Sequence, residues 1–153
     1  HKELGYNYRL SNLLAALGKG QLRSLDKYVE IRRRIFNQYY NALNDIEGID
    51  FMPEAGYGKS TRWLTTLTVD PIETGVSRTN IIEALEKENI EARPVWKPMH
   101  LQPLYQGYKY VTTGKEDVAR RLFEQGLCLP SGSNLDKIDQ DRIIEIIIDN
   151  LSK

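Results

Sequence analysis

The first third of the chain carries a hydrophobic repeat that is typical of a helix. Ser11 and Asn12 are both suited to cap its start, because their side chains accept hydrogen bonds from free backbone amides. The apolar residues that follow are mostly three or four positions apart, and the repeat slips near Gly18 and Gly20. This spacing predicts a long helix that bends or breaks at the two glycines and ends at residues 45–48. Its apolar positions are Leu14, Leu17, Leu22, Leu25, Val29, Ile35, Tyr39 and Leu43.

The next third switches to the period of a strand. Residues 62–69 alternate with a period of two and predict a half-buried strand, in which Trp63 shares a face with Leu67 and Val69. Ser77 or Thr79 then caps a helix that we expect to extend to residue 89.

The remaining elements are shorter, except for the last helix. The pattern predicts strands at residues 90–94 and 126–130, a short helix at 116–125 and an isoleucine-rich amphipathic helix at 135–151. Three short strands covered by helices predict a single domain with an α+β or split α/β layer fold.

The charge balance and the lengths of the apolar runs argue against two kinds of partner, nucleic acid and the membrane interior. Lys plus Arg and Asp plus Glu both number 21, so no large basic surface is available to bind a nucleic-acid backbone. The longest apolar run, residues 13–17, is far shorter than the roughly 20 residues that span a bilayer. We therefore expect no nucleic-acid partner and no membrane span.

The cysteine count and the first residues bear on location and completeness. Cys128 is the single cysteine, which excludes an intrachain disulfide and fits a reducing compartment, so we expect a cytoplasmic protein. His1 is not a methionine, and the first ten residues lack the features of a signal peptide. We expect the chain to begin within a longer protein.

Two motifs are weak on inspection. GYGKS at residues 56–60 resembles a phosphate-binding loop, but Pro53 stands where that loop needs a glycine, and a predicted strand follows instead of a helix. A surface turn is the favoured interpretation. Cys128 lies between leucines and is interpreted as a buried structural thiol, and no spacing of histidines and cysteines predicts a metal site.

The segment RPVWKPMH is the strongest candidate for a binding loop. Arg93, Lys97 and His100 offer cationic or donor groups that suit phosphate or carboxylate, and Trp96 offers a flat apolar face for a sugar or base. The loop continues to about residue 114, which is too long for a simple connector. The alternative is a solvated, rigid loop, which leaves the tryptophan unexplained.

A second candidate lies in GYNYRLSN at the start of the chain. Two tyrosines flank Asn7, Arg9 follows, and Ser11 leads into a helix whose free amides attract anions. An ordinary helix-capping segment is an equally good interpretation of this segment alone. Together the two segments favour a polar, phosphate-bearing ligand.

Four stretches in order resemble one known family. GYNYRLSNLLAALGKGQL, RRRIFNQYYNAL, ALEKENIEARPVWKPMHLQPLY and GLCLPSGSNL look like the C-terminal part of the DegT-type sugar nucleotide aminotransferases, pyridoxal-phosphate enzymes of fold type I. The resemblance covers essentially all 153 residues. It implies the small C-terminal domain of such an enzyme: a short, mostly antiparallel sheet covered by helices, with residues 1–24 linking it to a large domain upstream.

The resemblance also implies roles for particular residues. The Schiff-base lysine and the acidic partner of the cofactor lie upstream in the family, so no lysine of this chain inherits that role and the chain alone is expected to be inactive. Asn7 matches the asparagine that reaches the cofactor phosphate of the neighbouring subunit, which implies a homodimer with shared active sites. Arg9, Trp96, Lys97 and His100 are expected near the nucleotide-sugar substrate, and Arg93 belongs to the same loop.

The implied reaction transfers an amino group, usually from glutamate through the pyridoxal-phosphate cofactor, to a keto sugar nucleotide for bacterial glycan synthesis. One alternative is a free-standing module that binds an anion or sugar nucleotide without catalysis. Another is a degenerate paralogue that serves only to dimerise.

Overall fold

The computed structural model describes Tyr6 and residues 9–151, which fold around one antiparallel sheet. Four strands lie in the order β1–β2–β4–β3, and each neighbouring pair is antiparallel. The predicted α+β fold with a short antiparallel sheet is therefore confirmed. The strands are β1 Ile49–Phe51, β2 Thr65–Val69, β3 Arg93–Pro94 and β4 Gly126–Leu129. The sequence pattern missed β1, because three residues are too few to show a period of two.

Six α-helices surround this sheet in the described residues. They are α1 Asn12–Leu22, α2 Leu25–Leu43, α3 Pro71–Thr74, α4 Arg78–Lys87, α5 Val118–Gln125 and α6 Lys137–Leu151. The Ser11 hydroxyl accepts a hydrogen bond from the Leu14 amide at 3.2 Å, and Ser77 forms a reciprocal capping box with Asn80. The sequence offered Ser11 or Asn12 as the cap of α1 and Ser77 or Thr79 as the cap of α4, and the structure uses the serine in both cases.

The long helix breaks at a different place from the prediction. The chain leaves helical geometry at Ser24, which has φ −107° and ψ 3°, whereas Gly18 and Gly20 lie inside α1. No side chain of α1 is buried, but α2 buries Ile35 and others against the sheet. The turn therefore comes before the helix that packs on the sheet: packing from Ile31 onward fixes the direction of α2, and nothing described here fixes that of α1.

The core lies between the sheet and helices α2, α4 and α6. Gln140, which is buried, donates from its side chain to the Ile35 carbonyl at 2.7 Å, and the Tyr39 hydroxyl donates to the Pro130 carbonyl at 3.0 Å. Both polar groups are thus satisfied within an apolar interior. The buried apolar side chains are Ile35, Tyr39, Leu43, Ile49, Leu67, Val69, Ile81, Leu85, Leu127, Leu129, Ile143, Ile144 and Ile147.

An ion-pair cluster fixes the irregular segment between β1 and β2. Arg33 on α2 donates two hydrogen bonds to the Glu54 carboxylate, at 2.7 and 2.9 Å, and a third to the Ser60 carbonyl at 2.6 Å. The Ser60 amide donates back to Glu54 at 2.6 Å. Hydrogen bonds from Arg33 and Ser60 outweigh desolvation and lower the pKa of Glu54 from its ordinary 4.5 to about 2.

The Glu54 cluster predicts a specific loss of stability in acid. Because its pKa is lower in the folded state, Glu54 stabilises the fold fully above about pH 4.5, and this contribution is lost as the pH falls toward about 2. Glu54→Gln should therefore lower the free energy of unfolding at pH 7, and its difference from wild type should shrink as the pH falls below about 4.5. Urea unfolding across this pH range measures both, with the exposed Glu47→Gln as the control. If the difference in free energy of unfolding between wild type and Glu54→Gln stays constant down to about pH 2, the lowered pKa of Glu54 is wrong.

The exposed leucines of α1 predict self-association. Leu13, Leu14 and Leu17 are 80%, 54% and 57% exposed, and patches of this kind favour association. We expect the 153-residue chain to form oligomers or aggregates at high concentration, and Leu17→Glu to reduce this. Ile72→Glu, at an isolated site that is 87% exposed, is the matched control and should change nothing. Sedimentation velocity over a concentration series is the measurement, and a wild-type chain that stays monomeric throughout would count against the prediction.

Candidate functional site

The predicted binding loop follows β3 and is more ordered than its sequence pattern suggested. Two short 3-10 helices, Met99–Leu101 and Pro103–Tyr105, interrupt it. The Leu101 amide donates to the Pro98 carbonyl at 3.0 Å, so the second proline of RPVWKPMH begins the first of these turns. The Val95 amide donates to the Gly126 carbonyl at 3.0 Å and ties the start of the loop to β4.

Trp96 lies beside a second tryptophan from another part of the chain. The rings of Trp96 and Trp63 stack with centroids 6.0 Å apart and planes 27° from parallel. The two residues are 64% and 62% exposed, so the pair lies at the surface and outside the core. The predicted exposed tryptophan is therefore present, and it is one of two.

The sequence pattern misassigned Trp63. Its period of two placed Trp63 on the buried face of a strand, but β2 begins only at Thr65. Arg62 has φ +51°, a left-handed conformation that costs an L-residue about 1–2 kcal/mol. This turn separates Trp63 from the alternation of the strand and leaves the indole exposed.

The unusual backbone at Arg62 is stabilised by its side chain. The guanidinium lies 3.7 Å from the centroid of the Phe36 ring and donates to the Met52 carbonyl at 2.8 Å. Arg32 on α2 then donates to the carbonyls of both Trp63 and Ser131, the second at 3.1 Å. Arg62 and Arg32 therefore fix the backbone at Trp63.

A groove of about 460 Å³ runs beside Trp96. Arg93 lies on its wall and pairs with Glu91, which also lines the groove. Both side chains are largely exposed, so this ion pair is screened by water and remains open to exchange. The other lining residues are Leu64, Pro94, Trp96, Cys128, Leu129, Pro130 and Ser131.

Lys97 is exposed and differs from Arg93 in having no ion-pair partner among the described residues. Its backbone carbonyl accepts a hydrogen bond from the Gln102 side chain at 3.2 Å, which anchors the main chain and leaves the ammonium group in solvent. This side chain can therefore meet an anion without first breaking an internal contact.

His100 has an internal role in the structure. Its Nε2 lies 2.9 Å from Oδ2 of Asp117, and its ring stacks on Tyr110 with centroids 3.8 Å apart. Asp117 also accepts from the Tyr110 hydroxyl at 3.2 Å and from the Arg120 amide at 3.0 Å, which caps α5. His100 thus closes the long loop onto α5, and its expected position near a substrate stays a prediction.

These contacts also shift two acid–base equilibria. Partial burial acts to raise the pKa of Asp117, but hydrogen bonds from the Arg120 amide, His100 and Tyr110 prevail and hold it below its usual range. Burial and the neighbouring carboxylate raise the pKa of the Tyr110 hydroxyl. The carboxylate is therefore the anionic centre of this contact.

The N-terminal candidates are only partly within the described residues. Asn7 lies outside them, so its predicted contact with a cofactor phosphate stays a prediction. Arg9 is exposed, just before the Ser11 cap of α1. Its expected role near the substrate likewise stays a prediction.

The two weak motifs behave as the sequence indicated. Gly56 and Tyr57 form a surface turn, in which the Gly58 amide donates to the Ala55 carbonyl at 3.1 Å. Cys128 is buried in β4, and burial raises the pKa of its thiol. A reactive thiolate is therefore disfavoured at this position.

The described part of the chain has neither a cluster of metal ligands nor a helix suited to a membrane. There, no three potential metal ligands from His, Cys, Asp and Glu side chains come together. Within the same residues, every helix is too short or too polar to pass through a bilayer.

Comparison with known proteins assigns the family. The pattern of the DegT/DnrJ/EryC1/StrS aminotransferase family matches residues 1–148. EpsN of Bacillus subtilis, named as a candidate pyridoxal phosphate-dependent aminotransferase, is 51% identical across 97% of this chain and 38% of its own length. GDP-perosamine synthase of Caulobacter vibrioides is 30% identical across 92% of this chain and 37% of its own.

A solved structure gives the same result for the fold. The aminotransferase TlmJ from Streptoalloteichus hindustanus superposes with a TM-score of 0.82 at 25% identity, covering 99% of this chain and 39% of TlmJ. The chain thus spans about two fifths of the length of these relatives. It belongs to the DegT/DnrJ/EryC1/StrS aminotransferase family.

Proposed function

We propose that this chain is the C-terminal part of a pyridoxal-phosphate-dependent sugar nucleotide aminotransferase. The complete enzyme moves an amino group from an amino acid, in our proposal glutamate, to a keto sugar nucleotide used in bacterial glycan synthesis. The observation that carries this proposal is the exposed Trp96 next to the unpaired cation of Lys97, beside a groove, in a chain whose sequence matches the family over residues 1–148.

The chemistry of the loop suits such a substrate. A nucleotide sugar carries negative charge on its diphosphate and a flat ring in its base, which call for cations and an aromatic face together. Lys97 and Arg93 supply the cations, and Trp96 supplies the face. The loop is already tied to β4 through Val95, so less ordering entropy is lost on binding.

The described residues do not build a pyridoxal-phosphate site by themselves. Every lysine among them is exposed, whereas a lysine that forms a Schiff base is commonly activated by desolvation or a cationic neighbour. When bound, the cofactor supplies an electron sink. We propose that its Schiff-base lysine and acidic partner belong to the part of the relatives that this chain does not span. The exposed lysines are Lys19, Lys27, Lys59, Lys87, Lys97, Lys109, Lys115 and Lys137.

The proposal includes the arrangement of the whole protein. Residues 1–24 link the described domain to the large upstream domain, and two subunits share their active sites through Asn7. The exposed leucines of α1 support this arrangement, because in the complete enzyme the upstream domain or the second subunit would cover them. A cytoplasmic location stays a prediction.

The alternative of a free-standing binding module rests on the same loop. It requires no upstream cofactor domain, and it predicts that the chain alone is a stable monomer. The reading frame upstream of His1 separates the two hypotheses, because the aminotransferase requires a lysine in a small-residue loop there.

The first test compares the 153-residue chain with a protein that includes the upstream sequence. Mixed with pyridoxal phosphate and reduced with borohydride, the chain alone should yield no stoichiometric lysine adduct and should turn over no keto sugar nucleotide. The longer protein should yield one adduct upstream of His1 and transfer the amino group. Mass mapping of the adduct and a transamination assay are the measurements. A stoichiometric adduct within the 153 residues, with turnover, would sink the proposal.

The second test concerns Asn7 in the complete enzyme. Its amide donates to a phosphate oxygen of the cofactor in the opposite subunit, so Asn7→Ala removes a hydrogen bond to a charged acceptor worth about 1.5–3 kcal/mol. Cofactor affinity should fall about 10- to 150-fold, as measured by equilibrium titration. Asn12→Ala, in the same segment, is the control and should leave cofactor affinity unchanged.

Subunit mixing tests whether this contact crosses the interface. A heterodimer of an Asn7→Ala subunit and a subunit lacking the Schiff-base lysine has one site with both defects and one with neither. Activity should therefore return in proportion to heterodimer abundance. Proven heterodimers without recovered activity would show that Asn7 acts within its own subunit.

A further inference from the structure

The paired tryptophans are the surface feature that the preceding proposal does not fully use. The sequence contains two tryptophans, Trp63 and Trp96, and the fold brings both to one place from positions 33 residues apart. Both residues are more than 60% exposed, so the pair does not fill the core of the described domain. Large aromatic surface left in solvent is typical of a binding site, and Trp96 of this pair also lines the groove.

The two indoles are also fixed from behind. Trp63 is preceded by the buried Arg62, and its carbonyl accepts from Arg32. Trp96 follows Val95, whose amide is bonded to β4. Since both backbones are held before any ligand arrives, stacking on this pair loses little conformational entropy.

We propose that the stacked pair of Trp63 and Trp96 forms a platform for the nucleobase of the nucleotide substrate. Because the two rings already stack on each other, the base extends the stack on the free face of one ring and the other ring supports it, which makes Trp63 an additional determinant of affinity. The proposal rests on the function proposed above. It adds a residue that no motif indicated, because Trp63 lies far in sequence from the RPVWKPMH loop.

A base fits this platform better than a sugar ring. Stacking of a base on an aromatic face needs no hydrogen bonds and tolerates any base. A sugar brings several hydroxyl groups that need placed acceptors, and Glu91 is the one carboxylate among the residues that line the groove. Lys97, adjacent to Trp96, has a free ammonium group for the phosphates that follow the base.

Intrinsic fluorescence reports this site directly, because the platform contains every tryptophan of the chain. GDP and UDP should each quench the emission of the 153-residue chain with saturation. Pyrophosphate and glucose 1-phosphate, which lack a base, should not quench it. Absence of saturable quenching by both nucleotides, or equal quenching by pyrophosphate, would overturn the platform, and quenching by glucose 1-phosphate alone would assign it to the sugar.

Variants separate stacking from charge. Trp63→Ala should weaken GDP and UDP binding about 5- to 150-fold in calorimetric titrations, the range found for loss of one base–aromatic contact. Trp63→Phe, which keeps a ring, should retain most of the affinity, and pyrophosphate binding should be the same in all three proteins. Tyr57→Ala removes an aromatic residue six positions before Trp63 in the sequence that is 97% exposed, and it should have no effect. Equal GDP affinity in wild type and Trp63→Ala would refute the proposal.

The platform and the aminotransferase proposal can fail separately. If the complete enzyme transfers amino groups but Trp63→Ala leaves the KM for the nucleotide sugar unchanged, the platform is wrong and the function stands. If nucleotides bind and quench as expected but no amino transfer occurs, the platform stands and the proposed reaction is wrong.

Discussion

The arginines of α2 are the constraint on which the candidate site depends. Arg32 and Arg33 are consecutive, and both reach from the helix to the irregular chain between β1 and β2. Arg33 holds Glu54 and Ser60, while Arg32 holds the carbonyls of Trp63 and Ser131. The segment between the strands has few backbone hydrogen bonds of its own, so these side chains replace the order that a regular element would give.

The positively charged side chains around the site fall into two groups, according to whether they hold the fold together or remain open to solvent. Arg33, Arg62 and His100 each make an internal contact, with Glu54, with the Met52 carbonyl and with Asp117 respectively, so they organise loops. Lys97 has its charge in solvent, and Arg93 has only an exposed partner that water already screens. A ligand can recruit the second group at little cost, whereas recruiting the first would undo the structure that presents the site.

Local patterns predicted the elements well where the signal was local. The Ser77 cap, the strand at Cys128 and the isoleucine-rich last helix depend on residues a few positions apart, and the structure contains all three. The break between α1 and α2 was misplaced, because α1 continues through Gly18 and Gly20 and the turn at Ser24 has no local sequence signal. The strand β1, with three residues, was too short to show an alternating pattern in the sequence.

The candidate site was only half visible in the sequence for a related reason. Trp96 stands in a loop of unusual composition, but Trp63 looked like a strand residue, because the left-handed turn at Arg62 leaves no trace in a period of two. That turn is supported by Phe36 and Met52, which no local pattern connects to it. Contacts over such distances in sequence appear only when the chain is folded.

The distribution of burial gives a physical reason for a boundary near residue 24. Every member of the core lies at or beyond Ile31, and the sheet with α2, α4 and α6 encloses it without any side chain from α1. A helix with exposed leucines and no tertiary burial is not expected to be stable by its own propensity at eleven residues. In the arrangement proposed above, where this segment links two domains of an enzyme, surfaces beyond this core would supply its order.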